Sequence, residues 1–196
     1  MIDILKNNLI DLNDRNDFMA AFTLKPFKET RLENLVFSTQ ANFTADSLYL
    51  SFILTGDLEK IDLGDYHPQH QRLKNLWEKT CLEFFLKNQK NEYLEFNFSP
   101  NFAWNCFTFK TIRGPLLELD SIKSPEIEIL NSTEKFFLVA KIPLAEIPME
   151  FSKDQDLNFS FNAVIKLKNG ENEYWALKHS DSRPNFHQFE SFIGKF

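Results

Sequence analysis

Three consecutive β-strands joined by short turns are predicted over 76–109, LWEKTCLEFFLKNQKNEYLEFNFSPNFAWNCFTF, and this stretch restricts the fold more than any other. In Tyr93–Ser99, Leu94, Phe96 and Phe98 point one way while Tyr93, Glu95, Asn97 and Ser99 point the other. That is the period-2 pattern of a strand with one buried face. Leu82, Phe84 and Leu86 alternate in the same way with Cys81, Glu83 and Phe85; Phe107 and Phe109 oppose Trp104, Cys106 and Thr108. Each strand therefore predicts an apolar side and a side mixing polar and aromatic groups. The expectation is a sheet whose hidden side is phenylalanine and whose other side carries Glu83, Glu95 and Asn97.

The flanking segments extend the pattern. Leu32–Phe43 and Ser47–Thr55 read as a hairpin turning at Thr44–Ser47, with Leu48, Leu50, Phe52 and Leu54 as one apolar stripe. Glu126–Leu130 and Lys135–Ile142 read as a second pair, and Pro143–Ser152 as a stretch with one helical turn. Asp156–Lys168 is the longest predicted strand, with Asn158, Ser160, Asn162 and Lys166 opposite its apolar face. Asn169-Gly170 is a hairpin-turn signal, and Glu173–His179 is the return strand. Residues 1–16 read as a loose leader or a first edge strand, and 17–27 as a weak strand ending at Pro26. The polar connection Asp57–Leu76, with His67, Pro68 and His70, is long enough to be functional and is expected at the rim of any site. The tail SDSRPNFHQFESFIGKF, with its four phenylalanines, is expected to cap the core. Many short strands with little helix predict an all-β, two-sheet antiparallel β-sandwich, a single domain over residues 1–196.

Composition removes several classes of function. Phenylalanine alone contributes 22 residues, ample for a core. Lys+Arg 22 against Asp+Glu 28 gives a net charge of −6 with no basic stripe, which disfavours nucleic acid. The 5 glycines form no phosphate-cradling motif. No apolar run approaches the roughly 20 residues of a membrane helix. The N-terminal MIDILKNNLIDLNDRND lacks the features of a signal peptide, so a cytoplasmic protein is expected. Cys81 and Cys106 are then buried thiols, with an inter-strand disulfide as the alternative.

The chemistry on offer is limited. His67, His70, His179 and His187 form no recognised zinc spacing, and Ser180 and Ser182 lie in no nucleophile elbow. No metal and no catalytic residue is expected. Glu83 and Glu95 resemble the paired carboxylates of a hydrolase, but acidic residues on an exposed strand face are the commoner case. A sugar would suit the mixed face better. Its C–H faces stack on flat indoles, and carboxylates and amides orient its hydroxyls. Trp77, Trp104 and Trp175 are the candidate platforms, with Trp104 expected in the core.

Two blocks carry a family resemblance. Leu76-Trp77-x-x-Thr80-Cys81-x-Glu83-x-Phe85-Leu86 is followed by Tyr93-x-Glu95-Phe96-Asn97-Phe98-Ser99-Pro100; near the end stand Tyr174-Trp175-Ala176-Leu177-x-His179 and Arg183-Pro184-Asn185-Phe186-His187. In this order they resemble the bacterial DOMON-like proteins related to family 9 carbohydrate-binding modules. The resemblance implies a β-sandwich in which two aromatics clamp a terminal sugar while a carboxylate and amides bind its hydroxyls. Carried over, the clamp is Trp77 and Trp175, the carboxylate Glu83 and the amide Asn172, with Asn97 and Arg113 as supplementary contacts. No enzyme is expected, because no nucleophile–base arrangement can be argued from spacing. Calcium and haem enter only as alternative cofactors, with His179 or His187 as a haem ligand or a structural residue. A protein-interaction module or homo-oligomer without a small ligand is the remaining alternative.

Overall fold

The computed structural model describes residues 21–65, 70–123 and 125–196. The leader, His67 and Pro68 lie outside them. In chain order the strands are β1 (Phe22–Thr23), β2 (Lys25–Pro26), β3 (Val36–Phe43), β4 (Ser47–Thr55), β5 (Gln71–Arg72), β6 (Cys81–Lys87) and β7 (Tyr93–Phe98). They continue as β8 (Ala103–Phe109), β9 (Leu117–Glu118), β10 (Glu126–Asn131), β11 (Lys135–Pro143), β12 (Asn158–Lys166), β13 (Asn172–Ala176) and β14 (Gly194–Lys195). Short 3₁₀ turns at Leu76–Glu78, Leu144–Glu146, Met149–Phe151 and Phe189–Ser191 interrupt them.

Two sheets result. The smaller has the order β1-β3-β4-β11-β10; the larger runs β2-β13-β12-β6-β7-β8-β5, with β9 on β8 and β14 on β12. Every pairing is antiparallel except β5 with β8. The main core lies between the sheets, where Leu48, Leu50, Phe52 and Leu54 meet Phe84, Phe96, Phe98, Phe159 and Phe161. Phe52 sits edge-on to Phe161 at 5.2 Å, and Phe84 packs on Phe161 at 4.9 Å. These are the alternating apolar positions of the sequence, turned to one side by the strand period.

The larger sheet is buried on both faces. Its outer side carries a second apolar cluster, Leu76, Cys81, Phe85, Tyr93, Phe107, Phe109, Val164, Phe186 and Phe192. The tail phenylalanines therefore cover this outer face, not the inter-sheet core; Phe196, packed on Phe43 and Phe159, is the exception. On β8 the phenylalanine side faces outward rather than inward, while Trp104 lies in the core as expected. Register pairs Trp104 with Phe98 and Cys106 with Phe96, and directly opposed residues share a face, so Trp104 enters the core while Phe107 and Phe109 face outward. Cys81 and Cys106 consequently sit on opposite faces with β7 between their strands, and both are free thiols.

The 57–76 connection folds inward at its start. Leu58 and Ile61 are buried in the main core, and Ile61 bridges Leu167. Near the other end of the chain, Gly194 lets the backbone close over Phe159: a Cβ there would meet the ring at 2.2 Å. Among the described residues no helix is long and apolar enough to cross a membrane.

Candidate functional site

Strand register assembles a polar row across the outer face of the larger sheet. Asn162 on β12 pairs with Glu83 on β6, Glu83 with Asn97 on β7, and Asn97 with Asn105 on β8. One step along lies Ser160, Phe85, Glu95 and Phe107. Glu83 and Glu95 are thus diagonal neighbours on adjacent strands, about 7–8 Å apart by sheet geometry. All of these polar side chains are buried.

Asn97 Nδ2 donates to Glu95 Oε1 at 2.8 Å, and Ser160 Oγ donates to Asn162 Oδ1 at 3.2 Å. Asn105 does structural work at the end of the row. Its Oδ1 accepts from Arg72 Nε at 3.0 Å, and its Nδ2 donates to Leu73 O and Glu118 Oε1. This fixes the segment leading to Trp77. Among the described residues, Glu95 Oε2, Asn97 Oδ1 and Asn162 Nδ2 are buried on this face without a hydrogen-bond partner. Such orphans are costly unless something fills them.

Beside the row lies a cavity of about 380 Å³. Glu83 and Glu95 line it from the sheet. Trp77 enters from the 3₁₀ turn Leu76–Glu78, preceded by Asn75 in the left-handed region (φ 59°) and anchored by buried Leu76. The Trp77 ring is half-buried and meets the Phe107 edge at 5.9 Å. Tyr174 enters from β13 and packs near Phe186 at 6.2 Å. The tail lays Pro184, Asn185, Phe186 and His187 alongside.

Arg113 completes the wall from a turn whose φ is 51°. Its guanidinium donates to Asn185 Oδ1 at 2.9 Å, and its backbone N–H donates to the Tyr93 hydroxyl at 3.3 Å. That hydroxyl also shares a hydrogen bond with His187 Nδ1 at 2.8 Å. His187 Nε2 stands 3.9 Å from Glu95 Oε2, beyond hydrogen-bond range.

The electrostatics follow from burial. Desolvation pushes the Glu95 carboxyl up to about 7, opposed by the Asn97 hydrogen bond. Glu83 is held well above the usual carboxylate range by burial first and the charge of Glu95 second. Desolvation, aided by Arg113, lowers His187 to about 4, leaving it neutral near pH 7. Burial raises the Tyr93 phenol to about 12. The cavity thus combines aromatic walls with two carboxyls that resist ionisation together.

Of the residues singled out in the sequence, Trp77, Glu83 and Arg113 share this cavity. Asn97 lies beneath it, fully buried against Glu95. Trp175 does not reach it. Paired with core-facing Ala163, it is 3% exposed, packs near Phe37 at 6.3 Å and donates from Nε1 to Glu173. The aromatic on the correct face is its neighbour Tyr174, a choice the strand alternation itself contained. Asn172 is exposed beside a different cavity of about 540 Å³. His179 donates from Nε2 to the Lys25 carbonyl at 2.8 Å, edge-on to Phe27, and ties β2 to the tail. His187 lines the main cavity. Asn105, Asn162 and Asn185 were not distinguished from other polar residues, because only register and the tail's path bring them here. Among the described residues no group of three or more His, Cys, Asp or Glu could hold a metal.

Of the 57–76 connection, expected at the rim of any site, residues between Leu58 and Asp65 border a larger cavity of about 710 Å³, and none of its described residues lines the first one. Among the described residues no aromatic ring lines the larger cavity.

No family model matches the chain, and no curated protein matches it. Solved structures do. A Bacteroides uniformis protein assigned as carbohydrate-binding superposes with a TM-score of 0.58 at 14% identity, over 89% of this chain and 85% of that one. A family 9 carbohydrate-binding module from Caldicellulosiruptor kristjanssonii in complex with glucose gives 0.54 at 13% identity, over 87% and 78%. The module in complex with cellotriose gives 0.51 at 10%, over 90% and 80%. The fold is therefore that of the family 9 carbohydrate-binding β-sandwich.

Proposed function

We propose that this chain is a non-catalytic binding domain for a carbohydrate or sugar-like metabolite, held in the cavity between Trp77 and Tyr174. The observation that carries the reading is the convergence of an indole, a phenol and two buried carboxyls on one opening. Aromatic faces suit the C–H faces of a sugar ring, and Glu83, Glu95, Arg113 and His187 supply polar contacts to its hydroxyls. The volume of about 380 Å³ lies at the small end of the roughly 300–1,000 Å³ typical of ligand sites and suits a terminal ring. Structures of the same fold holding glucose and cellotriose support the ligand class.

Trp77 makes the reading testable. Intrinsic fluorescence titrated with a mono- and disaccharide panel should shift on binding, and Trp77→Ala and Tyr174→Ala should each abolish saturable binding measured by calorimetry. A panel that produces no saturable response in the native chain overturns the reading.

A further inference from the structure

Among the described residues the two carboxyls at the cavity floor have no cationic partner. Glu83 and Glu95 are 3% and 4% exposed, and both line the cavity. Among the described residues the closest basic atom is His187 Nε2, 3.9 Å from Glu95 Oε2, and that ring is neutral near pH 7. Arg113 points its guanidinium at Asn185 on the exposed side. Buried acidic groups are ordinarily paired, because desolvating a carboxylate without a counter-charge costs several kcal/mol.

The unfilled hydrogen-bonding capacity has the same sign. Glu95 Oε2 is an orphaned acceptor on a side chain that is 6% exposed, and behind it Asn97 Oδ1 is another. Neither Asn97 nor Asn162, whose Nδ2 is the orphaned donor, lines the cavity, so Glu95 Oε2 is the orphan that borders it among the described residues. What the floor lacks is a donor with positive charge. A hydroxyl supplies one proton and no charge; an ammonium supplies three N–H donors and a full charge. The aromatic walls add to the preference, since a cation over a Trp or Tyr face is attracted to the ring.

We infer that the site selects a ligand bearing a protonated amine, an amino sugar or similar aminated polyol, over its neutral counterpart, with the ammonium set against Glu95 Oε2 and beside Glu83. The inference rests on the sugar reading above and narrows its substrate class. It has a proton-linked consequence. The groups facing Glu95 are Glu83 and Cys81 on its own sheet, His187 from the tail, Tyr93 beside it and Arg113 from the turn. Of these, the coupled carboxyls hold the proton that an incoming ammonium displaces, so binding releases protons near pH 7.

Calorimetry on the intact chain at pH 7, in two buffers of different ionisation enthalpy, tests this. The probes are glucose, 2-amino- and 6-amino-deoxyglucose, and N-acetylglucosamine, which removes the charge. At least one amino sugar should bind tenfold or more tighter than glucose, with proton release, and N-acetylglucosamine should lose that gain. Glu95→Gln should bring the amino and neutral sugars to within about threefold of each other. Glu83→Gln is the second variant, and the native comparison stands even if neither variant folds. Neutral sugars binding as well as every amino sugar overturns this inference and leaves the sugar reading intact. No saturable binding by any probe overturns both.

Discussion

Tyr174 and Trp175 are consecutive in β13, yet the first lines the cavity on the outer face of the larger sheet and the second is 3% exposed in the core. The strand period alone separates them, and it assigns them opposite mutational signatures. Trp175→Ala should lower stability by about 3–5 kcal/mol, as truncation of a large buried aromatic does. Tyr174→Ala should cost about 1 kcal/mol or less in stability and fall mainly on ligand affinity. Urea melts of the two variants beside a sugar titration separate the roles.

The acidic floor should leave a mark on stability against pH. Glu95 has a folded-state pKa of about 7, raised from 4.5 by burial. Its contribution is fully present below 4.5 and is lost as the pH rises through 7. Glu95→Gln should therefore match the native chain near pH 4.5 and become progressively more stable than it toward pH 8. Thermal melts across that range decide the matter, and parallel curves contradict it.

His187 gives the opposite limb. Its pKa is lowered to about 4 from 6.5, so its contribution is present above 6.5 and lost as the pH falls through 4. Between 4.5 and 6.5 the two groups oppose each other, and the native stability profile should be shallow there. His187→Gln should flatten the acid limb while leaving the loss toward pH 8 in place, in the same melts.

Asn105 holds Arg72, Leu73 and Glu118 at once, and Arg72 also reaches Leu119 O at 3.0 Å and lies 5.2 Å over the Trp104 ring. Asn105→Ala leaves the carbonyl of Leu73 and the Arg72 fork short of partners. A loss of about 1–3 kcal/mol is expected in chemical denaturation, with faster hydrogen exchange across 71–77 as the accompanying sign.

Gly194 predicts a steric failure. A methyl group at that position would overlap the Phe159 ring at 2.2 Å, and Phe159 is fully buried between Phe84 and Phe161. Gly194→Ala should destabilise by about 1–3 kcal/mol through overpacking, and Gly194→Ala with Phe159→Leu should recover part of it.

The two-sheet sandwich was legible because the chain repeats one signal. The hairpin turning at Thr44–Ser47, the pair 126–131 with 135–143, and the Asn169-Gly170 turn all carry period-2 apolar stripes that local chemistry makes readable. What alternation cannot reveal is which of two apolar faces meets the other sheet. On β8 both faces are aromatic, and only its pairing with β7 sent Trp104 inward. Half of the site was legible for a related reason. Trp77, Glu83 and Arg113 stood out by type, but their company depends on the path of residues 184–187, which has no periodicity. Trp175 was carried over from the family resemblance as the second clamp aromatic, and the strand's geometry puts it in the core and its neighbour Tyr174 at the cavity.

The tail that roofs the outer face ties the cavity to chain order. Trp77, Glu95, Arg113, Tyr174 and His187 are far apart in sequence, and the hydroxyl of Tyr93 waits for an imidazole 94 positions downstream. No hairpin or excised fragment contains the opening. Long-range closures of this kind form slowly compared with local turns. Occupancy of the cavity is thus a reporter of completed folding: a refolding chain should regain its β-sheet signal before it regains any capacity to take up ligand.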